Sequence, residues 1–223
     1  GATGGFPIDL ILFGMIAAFL VLRLRNILGR RTGFERPQQP VQAPPAHPAA
    51  PGPVVEGHAE PVTQAAQRTV PAADSDLGRT LAQMKAIDRT FDAAGFLNGG
   101  EQAFRMIVTA FAAGDRTMLK ALLSDDTFLA FDQAISARET AGHTQVSEIR
   151  SIQSMTIEEA ELRGTTGVIT ARIVSDQVSF SRDAKGREVA GTEAVMEITD
   201  MWTFERDLAT QDPTWRLVAA RSA

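Results

Sequence analysis

Residues 198–207 read ITDMWTFERD, and strict alternation puts Ile198, Asp200, Trp202 and Phe204 on one side of a strand. Among those apolar neighbours Asp200 is the one carboxylate. Desolvation there would raise a carboxyl pKa, the condition for general acid or base work. Two structural roles compete: Asp200 accepts hydrogen bonds from an arginine or a tryptophan Nε1, or it sits at a strand bend facing solvent. Catalysis also needs a partner, such as a second acid, a tyrosine, a histidine or an oxyanion donor.

Those partners are scarce. The chain has no tyrosine and no cysteine, which removes disulfides and thiolate metal sites. Its three histidines are His47 and His58, in a proline-rich stretch, and His143. A single histidine supports neither a zinc site nor a histidine-based triad. Asp115 follows Gly114 and suits a helix N-cap. Glu158, Glu159 and Glu161 form an acidic run that reads as a solvated edge. Trp202, Phe204 and Trp215 read as core, since large aromatics at alternating positions dominate small-domain packing. No catalytic residue, metal ligand or cofactor site is expected.

Composition divides the 223 residues into three parts. Residues 8–24, IDLILFGMIAAFLVLRL, are nearly all apolar, and Phe6 extends the run. A membrane span needs about 20 such residues, with a lower limit near 17. The expected anchor faces are Phe6, Ile8, Leu10, Phe13, Ile16, Phe19, Leu22 and Leu24. No Lys or Arg precedes the run, whereas Arg23, Arg25, Arg30, Arg31 and Arg36 follow it. That is the reverse of a cleaved signal peptide. It predicts a single-pass anchor over 1–36, N-terminus periplasmic, with the arginines setting topology and meeting lipid headgroups. A bacterial inner membrane with the remaining chain in the cytoplasm fits best.

Nine of the eleven prolines lie between Pro37 and Pro71. Residues 37–75 therefore read as a flexible Pro/Ala-rich linker, rising roughly 3.1 Å per residue where it takes polyproline geometry. Residues 76–223 have ordinary globular composition, and residues 77–223, with 16 basic and 21 acidic side chains, carry the whole net charge of −5. An acidic domain without a basic run argues against nucleic acid.

Within that domain apolar spacing predicts helices over 77–94, with Asp76 as N-cap, about 98–113, a short one ending near Leu123, and one starting at Ser124. After Gly142 the period becomes two. Strands are expected at Thr144–Ala160, Gly167–Arg182, Thr192–Arg206 and Thr214–Arg221, with Lys185-Gly186 centring a hairpin. Helices followed by consecutive strands give an α+β class: helices on one face of a bent antiparallel meander, a cone whose interior makes a ligand pocket possible.

Two stretches together, AFAAGDRTMLKALLSDDTFLAF (110–131) and ITDMWTFERD…DPTWRLVAA (198–220), resemble the C-terminal domain of the mitochondrial import-motor tether, the Tim44 family. The resemblance covers about 77–223, and the anchor plus linker is similar to bacterial, inner-membrane adaptor members. It implies a fold related to the nuclear-transport-factor-two superfamily, with a large apolar pocket and association with the inner membrane and its lipids. It carries over no catalytic residue. It implies a structural role for the signature residues Gly114, Asp115, Asp200, Trp202, Phe204 and Trp215. The chain departs from the mitochondrial pattern before the domain, where the tether has charged segments that engage translocase and chaperone.

The reading is a non-enzymatic inner-membrane adaptor or accessory subunit, in protein translocation or membrane-complex assembly. Its partners are the bilayer and one or more inner-membrane or cytoplasmic proteins. The alternatives are a binder of a lipid-like molecule in the apolar pocket, and an isomerase- or dehydratase-type enzyme using Asp200.

Overall fold

The computed structural model describes residues 65–223. The expected anchor, its arginines and the linker up to Gln64 lie outside the described residues. Among the described residues no helix is long and apolar enough to cross a membrane.

Four helices come first in the domain, each started by a side chain that satisfies an otherwise orphaned backbone N–H. Helix α1 spans Asp76–Ile87, and its cap is Ser75 rather than Asp76: the Ser75 hydroxyl accepts from the Gly78 N–H at 3.0 Å. The helix stops at Ile87 instead of reaching residue 94. Asp88 turns the chain by accepting from the Thr90 N–H (3.0 Å) and hydroxyl (2.7 Å). Helix α2 spans Ala93–Ala113 and starts five residues before Asn98, because Asp92 caps it through the Gly95 N–H at 2.6 Å. Gly100 lies inside this helix and is buried. A Cβ there would come within 2.7 Å of Met155 Cε, so the glycine lets helix and sheet approach closely. Helices α3 (Arg116–Leu122) and α4 (Asp125–Thr140) follow, capped by Asp115 and Ser124.

Five strands form one sheet in the order β1 to β5: β1 Gln67–Thr69, β2 Thr144–Arg163, β3 Thr166–Arg182, β4 Glu188–Asp207 and β5 Arg216–Ser222. The pairs β2–β3, β3–β4 and β4–β5 are antiparallel, but β1 runs parallel to β2, with Gln67, Arg68 and Thr69 opposite Ser154, Met155 and Thr156. The sheet is therefore mixed, which corrects the expected all-antiparallel meander. It also corrects the linker reading at residues 67–69, where an Arg68–Glu101 ion pair ties β1 to α2. Three residues are too few to show a period, so β1 had no signal in the sequence. β4 begins at Glu188, four residues earlier than expected: Gly191, at φ 79°, keeps the strand paired through a local irregularity.

Register slips in β2 at Ile149/Ser151, Ile152/Ser154 and Ile157/Glu159 mark bulges, each of which bends the strand. The concave face carries Ile152, Met155, Ile157, Ile169, Ala171, Ile173, Trp202, Phe204 and Leu217, all in one buried cluster with Met84, Leu97, Phe104, Ile107 and Leu119 of the helices. The opposite face carries no member of that cluster from β3 or β4.

Candidate functional site

The sequence-derived site residues fall in two places. The first is the concave face of β4. Asp200 lies there at 5% exposure, opposite Ile173 on β3 and Ser222 on β5. Trp202, two residues on, meets Phe104 of α2 edge-on at 4.7 Å between ring centroids. Phe204 is fully buried and takes an edge contact from Phe96 at 5.9 Å. Phe96 also contacts Trp215 at 5.1 Å, and Trp215 touches Phe91 at 5.8 Å. An aromatic chain thus runs from the end of α1 through α2 to β4 and the entry to β5. Edge-to-face pairs of this kind stabilise by about 0.5–1.5 kcal/mol beyond burial.

The second place is the junction of α2 and α3. Gly114 ends α2 at φ 71°, ψ 27°, a left-handed conformation that glycine adopts without cost. Asp115 accepts from the Met118 N–H at 3.1 Å and starts α3. Two arginines that sequence reasoning missed brace this corner. Arg116 pairs with Asp132 and with Glu139 (3.1 Å) and donates to the Ser136 hydroxyl at 3.0 Å. Hydrogen bonding to Glu139, then to Asp132, raises its pKa further above the usual range. Arg138 donates to the Phe111 and Ala112 carbonyls at 2.5 and 2.9 Å and stacks 5.1 Å from the Phe111 ring centroid. It thereby satisfies carbonyls that the end of α2 leaves open. Burial pulls its pKa down, and its Nη1 has no partner among the described residues. Both contacts join residues more than twenty positions apart or on separate helices, so no local spacing announced them.

The other candidates separate. Glu158 and Glu159 are exposed, and Glu161 pairs with Arg163 at 3.0 Å, whose hydrogen bond lowers the Glu161 pKa. His143 is half-buried in the turn from α4 to β2, away from Asp200 in the sheet register. Among the described residues no group of three His, Cys, Asp or Glu side chains is placed to hold a metal ion.

A cleft of about 250 Å³ lies where β4 meets the loop before β5. Glu205, Arg206, Asp207, Asp212 and Arg216 line it, so it is a polar cleft with both signs of charge. At its back Arg206 pairs with Asp88 at 2.8 Å, both side chains largely shielded at 10% and 14% exposure. This pair holds β4 to the turn after α1 across a separation of 118 residues.

Asp88 titrates below its ordinary value of 3.8, chiefly through the Thr90 hydroxyl and then the Arg206 guanidinium. A depressed folded-state pKa contributes stability above the unfolded value, and that contribution disappears as pH falls through the folded value. The α1–β4 clasp should therefore loosen only below about pH 4. Asp88→Asn should flatten the acid limb of a pH–stability curve measured by circular dichroism. An unchanged acid limb would assign that limb to other carboxylates.

None of the curated proteins matches this chain. Among solved structures, the intermembrane space region of the chloroplast protein ARC6 is similar at 12% identity and TM-score 0.43, covering 59% of this chain and 96% of that one. A conserved protein from Planctomyces limnophilus is similar at 14% and 0.34, covering 58% and 99%. An NTF2-like protein from Cytophaga hutchinsonii is similar at 13% and 0.32, covering 60% and 98%. Residues 77–222 match the family described as the Tim44-like domain. That span holds the helix junction at Gly114–Asp115 and the aromatic chain through Trp202, Phe204 and Trp215, and by it this chain belongs to the Tim44-like family.

Proposed function

We propose that this protein is a non-enzymatic adaptor, held at the inner membrane by residues 8–24 and presenting residues 77–223 to a protein partner in the cytoplasm. One observation carries the reading. The signature side chains of the domain are committed to packing and capping: Trp202, Phe204 and Trp215 to the helix phenylalanines, and Asp115 to the start of α3. Family membership supports the same reading.

The bulged sheet wrapped on its helices belongs to this proposal as a cone of the NTF2-like kind. In it, Phe96, Phe104, Trp202 and Phe204 occupy the interior and leave the outer surfaces for binding. The nine prolines between Pro37 and Pro71 suit a tether between anchor and domain. Translocation or assembly of a membrane complex is the setting that suits such a tether.

The test is a comparison of membranes carrying the full chain with membranes carrying residues 1–76 alone. Chemical crosslinking followed by affinity recovery should capture one or more inner-membrane or cytoplasmic proteins only with the full chain. Identical recovery from both would sink the adaptor reading.

A further inference from the structure

The sheet face turned away from the helices carries two arginines in one cross-strand row. The register places Thr156 of β2, Arg172 of β3, Met201 of β4 and Arg221 of β5 side by side. Their neighbours along each strand fix the facing. Ala171, Ile173 and Trp202 belong to the core cluster and Ala220 packs against it, so the residues between them point outward. Arg172 and Arg221 are exposed, and Met201 sits between them in the register at 9% exposure. Two strand spacings separate the arginines, about 10 Å.

Arginine elsewhere in this domain is almost always matched. Arg68, Arg79, Arg105, Arg116, Arg150, Arg163, Arg182, Arg187, Arg206 and Arg216 all have carboxylate partners within 4.0 Å, and Arg138 has its two carbonyls. Among the described residues, Arg89, Arg172 and Arg221 are the arginines whose side chains make no ion pair or hydrogen bond. Two of those three share this row. Next to it Thr170 and Thr203 join hydroxyls at 2.8 Å, and Thr69 of β1 extends the row beyond Thr156. The surface is thus a polar shelf with two forked cations over one apolar floor.

Guanidinium forks match carboxylates in a planar, two-bond geometry and are less hydrated than ammonium groups. We infer that this shelf docks an acidic, extended segment of the partner protein, with two of its carboxylates seated against Arg172 and Arg221. The proposal rests on the adaptor reading and names the chemistry of its partner. An anionic bilayer is the less fitting occupant. The residues after 76 carry 16 basic and 21 acidic side chains, so the domain as a whole is repelled from such a surface, while a short segment meets chiefly Arg172 and Arg221, with Glu159 opposite Thr170 on the same face.

The test uses the full chain in neutral detergent micelles. A fluorescein-labelled peptide alternating glutamate with threonine is compared by anisotropy with its glutamine counterpart. The glutamate peptide should bind at least about tenfold more tightly, with affinity falling as salt rises. Arg172→Gln with Arg221→Gln should abolish that preference, whereas Arg89→Gln should keep it. All of these positions are exposed, and matching melting curves will confirm that the variants are folded. Equal binding of the two peptides, binding of neither, or an unchanged preference in the double variant would overturn the proposal. So would loss in the double variant of binding to phosphatidylglycerol vesicles without any peptide preference, which would make lipid headgroups the ligand. Any of these outcomes leaves the crosslinking test of the adaptor reading intact, since that test reads the whole domain.

Discussion

Phe204→Ala is expected to remove about 3–5 kcal/mol of stability, the usual cost of emptying a buried phenylalanine site. A domain of this size is stable by about 5–15 kcal/mol, so much of the folded population is at stake. The ring is fully buried, and its cross-strand neighbours Ile169 and Leu217 are fully buried too. Phe96 meets it edge-on and Trp202 lies 6.3 Å away, so the vacated space has rigid aromatic walls that collapse poorly. Phe204→Leu keeps most of the volume and should cost about 1.5 kcal/mol or less. Urea unfolding followed by circular dichroism reads both. Equal midpoints for the two variants would show that the aromatic chain does not hold helices to sheet.

Gly191→Ala should cost about 2–5 kcal/mol, the sum of two separate penalties. Gly191 has φ 79°, where a Cβ is disfavoured by about 1–2 kcal/mol. That Cβ would also stand 2.3 Å from the Ser179 carbonyl oxygen and 2.7 Å from Phe180 Cα. Both obstacles are backbone atoms of β3 and cannot rotate aside, so the two strands must separate locally. Gly186 provides the internal control. It has φ 77° but nothing within 4 Å of the added atom, so Gly186→Ala should show the conformational penalty alone. Thermal melts of the pair isolate the steric part. Equal losses would mean that β4 relaxes freely around the substitution.

Much of the architecture was legible because burial imposes a period. Phe104, Ile107 and Phe111 at helical spacing marked α2, and the alternation of Asp200, Trp202 and Phe204 marked the concave side of β4. The element ends were less legible. The gap expected between helices before Asn98 contains Gly95, yet Gly95 lies inside α2, because Asp92 caps the helix upstream and Gly100 admits Met155. Propensity yields there to a tertiary contact. β1 was invisible, since a strand of three exposed residues shows no pattern and exists through its pairing with β2.

The candidate site divides the same way. The sequence alone established the α+β order of elements, the absence of cysteine and tyrosine chemistry, and the Tim44-like signature, because composition and hydrophobic period are properties of the chain itself. Only the tertiary structure decided what the charged residues do. Arg206 clasps Asp88 across the domain, Arg138 closes the end of α2, and Arg172 and Arg221 line up on the outer face. The reason is that a charge acts through whatever lies within a few ångströms of it, and strand register brings together residues that the chain keeps far apart.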